Sequence, residues 1–267
     1  MKEISLHKSL WPTHGLMLLA TCLVSTSFTV GKAITDGMDP AVITLIRFTV
    51  AAILFLPYVK LHHSLKLPTG RSLLRYSIIS AALVTFFWLM FLSLRYTSAV
   101  NTGVLFTLVP GISGLYSAIL LKERLGLPRL LALLLAMTGA LLVIFHGKPT
   151  NILNMELNRG DLIFFIGCLF MALYTPLVKL LHRGEHMAIM TFWVLVTGSG
   201  WLLLFSGPHL LTVPWASIDQ SVWLGILYLA IFCTIITFFL SQTATLHLGP
   251  TRVMAYSYLY PPLIIIL

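Results

Sequence analysis

The sequence predicts an all-α polytopic membrane protein, and three observations support this fold class. Of the 267 residues, 58% are hydrophobic and only 9% are charged, whereas soluble domains carry roughly 25% charged residues. The apolar residues fall into windows long enough to cross a bilayer as helices. The basic residues lie mostly in the short loops between these windows, as the positive-inside rule predicts. The net charge of +9 therefore indicates membrane topology and not a nucleic-acid partner.

Nine apolar windows follow one another along the chain, separated by short polar loops. We expect each to form a membrane helix. The first is expected to be an uncleaved helix, because no Ala-x-Ala cleavage site follows it. The windows cover about residues 14–31, 41–59, 73–94, 98–121, 130–145, 162–181, 187–205, 222–242 and 250–267.

The longest polar loop divides the chain. It contains Gly147, Pro149, Asn151 and Asn154, residues that are typical of a linker. We therefore predict a first repeat at 14–146, a linker at 147–160 and a second repeat at 161–267.

The orientation follows from the distribution of Lys and Arg. With a cytoplasmic N-terminus, the loops on the outer side carry only Lys32, Arg95, Lys148 and Arg159. The remaining loop cations then face the cytoplasm, which is the bias that membrane proteins follow. We expect a multi-pass protein of the cell membrane, the inner membrane in bacteria, with its N-terminus in the cytoplasm.

The two halves share short matches in the same order. Residues 91–93 (FLS) match 239–241, and residues 101–110 (NTGVLFTLVP) align with 252–261 (RVMAYSYLYP). This alignment places Pro110 and Pro261 in register. Because an odd number of spans separates equivalent helices, the repeats must have opposite orientations, which is the inverted-repeat pattern of secondary transporters.

The segment 98–121 has no charge and carries Pro110 near its middle. Proline removes a backbone hydrogen bond, so we predict a kink beside a cavity. Gly103, Thr107 and Gly111 are spaced by four and form a small-residue face for close helix packing. A kinked helix with a purely structural role is the alternative.

Short stretches along nearly the whole chain match the pattern of one known family. They are 25–32 (STSFTVGK), 45–48 (LIRF), Pro110 with 122–126 (KERLG), Asp161, 172–179 (ALYTPLVK), Tyr228, Gln242 and 248–261 (LGPTRVMAYSYLYP). In these stretches the chain resembles the EamA-type branch of the drug/metabolite transporter superfamily. The resemblance implies ten helices in two inverted five-helix repeats, both termini in the cytoplasm, and export or exchange of a small metabolite or drug-like solute through a central cavity. It implies no particular substrate.

One part of the family pattern is missing from this chain. Pro110 precedes Glu123 by 123 − 110 = 13 positions, and the same offset from Pro261 falls at about residue 274, beyond Leu267. We therefore expect the tenth helix to be absent and to leave an unpaired groove. A truncated, non-transporting remnant or partner subunit is accordingly one alternative function.

Arg47 is the main candidate for chemistry because it lies well inside the second window. A charge at that depth costs about 2.5–3.5 kcal/mol on insertion scales, so it should face a cavity or a partner. Its role is either to bind substrate or to lock the fold through helix-end carbonyls. The candidate substrate-binding residues are Arg47, Trp88, Asn101, Thr107, Tyr174, Tyr228 and Tyr258. The candidate hinge or gating residues are Lys32, Pro110, Glu123 and Pro261, with snorkelling and loop anchoring as the alternatives for Lys32 and Glu123.

The acidic residues suggest how transport is driven. All eight lie in loops or at helix ends, whereas proton-driven exporters usually place a carboxylate inside the membrane. Arg47 stays charged across the physiological range and cannot exchange protons. We therefore hypothesise a facilitator or exchanger in which Arg47 is the counter-charge of a substrate carboxylate.

Other classes of function lack sequence support. There is no phosphate-binding loop and no hydrolase or metalloprotease motif, so an enzyme, a cofactor and a metal site are not predicted. His182 and His186 are interpreted as parts of a solvated loop. A membrane-embedded lipid-handling protein or enzyme stays as a second alternative. The expected partners are the bilayer and a small solute, with a homodimer as an open alternative to a monomer.

Overall fold

Helices dominate the computed structural model, which describes residues 11–122, 126–144 and 158–266. Within these ranges twelve α-helices follow in order. They are α1 (Trp11–Ile34), α2 (Pro40–His62), α3 (Gly70–Ser93), α4 (Ala99–Phe106), α5 (Val109–Leu120), α6 (Leu127–Ile144), α7 (Arg159–Leu181), α8 (Met187–Leu210), α9 (Gln220–Ala230), α10 (Thr237–Leu248), α11 (Pro250–Ala255) and α12 (Tyr260–Ile266).

Six helices of the described residues are long and apolar enough to cross a membrane. Five are α1, α2, α3, α7 and α8. The sixth is α9 and α10 taken together, because a π-helical segment (Ile231–Ile236) joins them into one helix of 29 residues. At 1.5 Å per residue each is long enough to cross a hydrocarbon core of about 30 Å. In the described parts of the predicted windows 98–121, 130–145 and 250–267, the helices are shorter or broken.

Polar caps set where several helices begin. Asp39 accepts hydrogen bonds from the backbone of Ala41 and Val42 at the start of α2, and Asp219 accepts one from Ser221 at the start of α9. Asn158 and Asp161 form a reciprocal capping box at α7. Each cap satisfies amide groups that the first turn of a helix leaves unpaired.

The helices before the linker pack mainly on those after it. We call residues 11–144 the first half and residues 158–266 the second half. Helix α3 lies along α7, α2 along α8, and α1 against α10 and α12. The main buried core therefore sits between the halves, and a small second cluster joins Leu133 and Tyr258.

Two pairs of consecutive helices are each separated by a short break that precedes a proline. Helix α4 ends at Phe106 and α5 resumes at Val109, with Pro110 as its second residue. Helix α11 ends at Ala255, a 3₁₀ turn follows (Tyr256–Leu259), and α12 resumes at Tyr260 with Pro261 as its second residue. The two breaks lie close together, because the Phe106 ring, just before the first break, and the Tyr260 ring, just after the second, have centroids 5.3 Å apart.

Candidate functional site

A cavity lies in the core of the molecule, between the two halves. Its walls come from α1, α3 and α4 of the first half and from α7, α10, α11 and α12 of the second. The cavity volume is about 40 Å³, which is room for two or three water molecules. None of the described residues that line it is charged.

Aromatic rings close the cavity on most sides. The Phe28 ring packs edge-on against Phe106, with ring centroids 5.7 Å apart, and Phe106 packs against Tyr260 at 5.3 Å. On the opposite wall the Phe87 and Phe238 rings lie 5.7 Å apart. Such tilted and edge-to-face contacts are favourable geometries for aromatic pairs. The rings keep the cavity small and apolar.

Both helix breaks adjoin this cavity. Phe106, the last residue of α4, and Tyr260, the first residue of α12, both line it. Pro110 and Pro261 follow these breaks directly and lack the backbone N–H that an uninterrupted helix would use. A change of angle at either break would therefore move a wall of the cavity.

Tyr174 brings a polar group to the cavity from α7. Its ring is 2% exposed and lines the cavity, and its hydroxyl accepts a hydrogen bond of 3.1 Å from Gln242 Nε2. The Gln242 Oε1 atom in turn accepts from the Thr191 hydroxyl at 2.5 Å. These three buried side chains form a relay from α8 through α10 to α7.

Hydroxyl groups on α1 divide into two kinds. Thr21, Ser25 and Thr26 donate to carbonyl oxygens of their own helix, which is how such groups are commonly satisfied in helices. Ser27 is 2% exposed, lines the cavity, and its hydroxyl has no partner among the described residues. Tyr228 lies behind this helix, with its hydroxyl 2.9 Å from Thr26 Oγ1.

Arg47 is fully buried and lies behind the aromatic wall. Its Nε donates to the Thr234 hydroxyl at 2.6 Å and its Nη2 to the Cys233 carbonyl at 2.7 Å, both within the π segment. Its guanidinium carbon lies 4.3 Å from the centroid of the Phe87 ring, a cation–π distance. The Nη1 atom has no partner among the described residues. Arg47 thus faces the cavity only through the Phe87 ring.

Four further predicted residues lie away from the cavity lining. Trp88 stacks on Phe205 with ring centroids 6.0 Å apart, toward α8. Tyr258 packs with Leu133 of α6. Thr107 is buried in the break between α4 and α5. Lys32 Nζ donates to the Leu94 carbonyl at 2.6 Å and so caps the end of α3.

Asn101 belongs to a separate polar cluster around Asp161. Its Nδ2 donates to Asp161 Oδ2 at 3.1 Å, and the Thr97 hydroxyl donates to Asp161 Oδ1. The backbone N–H of Asn158 also donates to Asp161 Oδ2 at 2.8 Å. This buried carboxylate therefore joins the start of α7 to the loop before α4, linking the two halves away from the cavity.

The remaining candidate, Glu123, lies outside the described residues. Of the predicted substrate-binding residues, Tyr174 lines the cavity, and Arg47 is separated from it by one ring. Phe28, Phe106 and Tyr260 were not among the predicted site residues. Their signal was weak because apolar residues on every face are normal for a membrane helix, so helical spacing alone does not distinguish the cavity face.

Comparison with known proteins gives a consistent result. A model of the EamA-like transporter family matches residues 11–145 and 158–267. A protein of Archaeoglobus fulgidus named an uncharacterized transporter is 26% identical over 251 residues, covering 93% of this chain and 85% of the relative. The uncharacterized transporter YyaM of Bacillus subtilis is 27% identical over 173 residues, covering 65% of this chain and 57% of YyaM. The match therefore spans little more than half of the length of YyaM.

The same fold is found among solved structures, one of which is a crystal structure of a protein. It matches with a TM-score of 0.71 at 19% sequence identity, covering 97% of this chain and 88% of that chain.

Proposed function

Since the chain belongs to the EamA-like transporter family, we propose that it is a secondary transporter that carries a small solute through the central cavity by alternating access. The observation that carries this proposal is the position of the cavity. It lies between the two halves of the chain and touches both helix breaks. A wall built from broken helices can open when the segments on either side change angle.

The proposal includes two inverted repeats, at 14–146 and 161–267, joined by a linker at 147–160. The family model matches the chain in two stretches that correspond to these repeats. The breaks before Pro110 and Pro261 are similar in position, and the Phe106 and Tyr260 rings beside them have centroids 5.3 Å apart. In this arrangement the two prolines act as equivalent hinges, one in each repeat.

The mode of transport is facilitated diffusion or exchange. No acidic side chain lines the cavity among the described residues, so the site has no group that could take up and release a proton during each cycle. Asp161, a buried carboxylate, is bound by Thr97, Asn101 and Asn158 outside the cavity. The solute then moves down its own gradient or against that of a second solute.

In this proposal the protein lies in the cell membrane with its N-terminus in the cytoplasm. Lys60, Lys66 and Arg71 then lie on the cytoplasmic side, and Lys32 and Arg95 on the outer side. Lys32 and Arg95 both donate to backbone carbonyls where α1, α2 and α3 meet. They serve there as links between helices at the outer end of the first half.

The test combines binding with flux. A panel of small solutes is screened by thermal shift on the purified protein, because a ligand stabilises the state that it binds by about 2.7 kcal/mol at a concentration of 100 Kd. The solutes that stabilise the protein are then measured for counterflow in proteoliposomes. We expect saturable counterflow that protein-free liposomes lack. Stabilising ligands that show no flux in either direction would overturn the proposal.

A further inference from the structure

The polar groups of the central cavity define a class of substrate. We propose that the hydroxyls of Ser27 and Tyr174 bind a hydrogen-bond-accepting end of an apolar molecule, and that the cavity rejects cations. This inference rests on the proposed function, since it concerns the solute that the same cavity carries. Three features support it: the unpartnered Ser27 hydroxyl on α1, the Tyr174 hydroxyl hydrogen on α7, and the position of the Arg47 charge.

The Ser27 hydroxyl makes no hydrogen bond to its own helix. The carbonyl that a helical serine would normally use lies four residues earlier, which is that of Leu23. This oxygen already accepts from the Thr26 hydroxyl at 2.7 Å and from the Cys233 thiol at 3.0 Å. The Ser27 hydroxyl is left without a partner among the described residues, although it is buried in the cavity wall. Burying a hydroxyl without a hydrogen-bond partner costs free energy, and a ligand that bonds to the Ser27 hydroxyl would recover it.

Tyr174 has a proton to donate because of the direction of its relay. The Thr191 hydroxyl donates to Gln242 Oε1, and Gln242 Nε2 donates to the Tyr174 hydroxyl oxygen at 3.1 Å. Since Gln242 donates to the phenol oxygen, the phenol hydrogen is not used in the relay. It is available to an acceptor in the cavity.

The charge around the cavity selects against cations. No acid lines the cavity among the described residues, so an ammonium group would have no counter-charge there. The buried cation Arg47 lies with its guanidinium carbon 4.3 Å from the centroid of the Phe87 ring, which lines the cavity. Its positive charge repels a cation in the cavity and attracts an acceptor or an anion. The aromatic lining is therefore not a cage for quaternary or protonated amines.

The aromatic lining of the cavity favours an apolar body for the ligand. Phe28, Phe86, Phe106 and Phe238 present rings to the cavity, and such rings pack well against an aromatic or aliphatic group. The present cavity of about 40 Å³ holds water only, so the ligand binds in a wider state of the transport cycle. That state is reached by movement at the two helix breaks.

The test uses three phenylpropyl probes that share one body and differ in their polar end. Hydrocinnamamide is a neutral acceptor, phenylpropylamine is a cation at neutral pH, and propylbenzene lacks a polar end. Binding to the purified wild-type protein is measured by calorimetry, and counterflow is measured in proteoliposomes. We expect hydrocinnamamide to bind at least about tenfold more tightly than either other probe, because a site built around donors rejects ligands that leave those donors unpaired.

Two variants and a matched control locate the recognition. Ser27→Ala and Tyr174→Phe should each weaken hydrocinnamamide binding about tenfold, the usual effect of one lost hydrogen bond that leaves a buried group unpaired. Ser25→Ala, two residues away on α1, removes a hydroxyl that is bonded to Thr21 and should leave affinity unchanged. The Ser27 hydroxyl makes no hydrogen bond within the described protein, so Ser27→Ala should fold. The inference can then be tested with this variant even if Tyr174→Phe does not fold.

The outcomes separate this inference from the proposed function. Wild-type affinity in Ser27→Ala, equal binding of the amine and the amide, or no binding of hydrocinnamamide would each overturn the inference. Specific binding that Ser27→Ala weakens supports it even if no counterflow is seen. Absence of counterflow with intact binding would instead contradict the transporter proposal.

Discussion

Arg47 on α2 donates a hydrogen bond of 2.7 Å to the carbonyl oxygen of Cys233, a residue of the π segment between α9 and α10. A π turn widens the helix and shifts its hydrogen bonds, and such turns are frequent at functional sites. Here Arg47 and the Thr234 hydroxyl, which donates to the Leu229 carbonyl five residues earlier, hold the widened turn in place. A buried cation from the first half thus fixes the shape of a helix in the second.

Replacement of this cation should affect both stability and transport. We expect Arg47→Gln to stay folded but to lose about 1.5–3 kcal/mol of unfolding free energy, the range for hydrogen bonds to charged groups. Flux of hydrocinnamate, a carboxylate, should be abolished because the positive charge behind Phe87 is gone. Denaturant unfolding in detergent and counterflow in proteoliposomes measure the two effects. Arg183→Gln, which changes an arginine in an exposed loop, is the control. If Arg47→Gln carried hydrocinnamate as fast as wild type, the role given to Arg47 would be contradicted.

The position of Arg47 illustrates what sequence could and could not provide. Its depth in the second window predicted a partner or a cavity, because an unpaired charge in the membrane is costly. The partners are a carbonyl, a hydroxyl and an aromatic ring, and none of these leaves a signature in sequence. The π turn that supplies the carbonyl, in Ile231–Ile236 (IFCTII), contains no proline or glycine that would mark it in the sequence.

Pro110 should act as a hinge. In Pro110→Ala the new backbone N–H can bond within the helix, so α4 and α5 would approach one continuous helix and move less freely. We expect an unchanged fold and a several-fold lower counterflow rate. Pro57→Ala provides the matched control, since Pro57 lies within the unbroken helix α2 and is exposed. Equal rates for wild type and Pro110→Ala would rule out the hinge.

The breaks were the most predictable feature of the site. The register of Pro110 and Pro261 came from a short alignment, and both prolines follow a break in the structure. The polar candidates were less predictable. Asn101 and Tyr258 carry groups that could serve a ligand or the fold equally well, and only tertiary packing places them against Asp161 and Leu133.

Close packing of α8 on α2 and α3 provides a test of the fold. A Cβ at Gly198 would lie 2.9 Å from Val84 Cγ1 and 3.1 Å from Phe48 Cδ1, whereas nothing lies within 4 Å of one at Gly200. Gly198→Ala should therefore destabilise the protein by about 1–3 kcal/mol through overpacking. Gly200→Ala should be neutral or slightly stabilising. Similar unfolding midpoints for the two variants would show that α8 packs differently.

A contact between two histidines at the start of α8 should make the stability of the protein depend on pH. The rings of His63, after α2, and His186, before α8, have centroids 4.1 Å apart. Burial lowers the pKa of His63 below 6.5, and so do the like charges of His186 and His62. Nearby Glu185 is held by Arg75 at 3.6 Å, and His182 Nε2 lies 3.0 Å from the Glu185 carbonyl oxygen. The cluster thus favours a neutral His63 in the folded state.

The sign of the pH effect follows from this lowered pKa. The unfolded chain takes up a proton at about pH 6.5 and the folded chain only at lower pH, so the contact stabilises the fold above pH 6.5 and is lost as pH falls. We expect the thermal midpoint of wild type to fall between about pH 7.5 and 5.5, and His63→Gln to fall less. His247→Gln, an exposed site whose ring bonds to its own helix, should behave as wild type. Parallel pH profiles for His63→Gln and wild type would disprove the effect.

Access to the central cavity from the two sides of the membrane tests the central claim most directly. Ser257 lines the cavity within the broken segment before α12, and its hydroxyl bonds to its own backbone. In a variant whose cysteines Cys22, Cys168 and Cys233 are replaced, Ser257→Cys is exposed to a membrane-impermeant maleimide added on one side of oriented vesicles. We predict labelling from either side, because the cavity opens to each in turn. Labelling from one side only, under every substrate condition tested, would contradict alternating access.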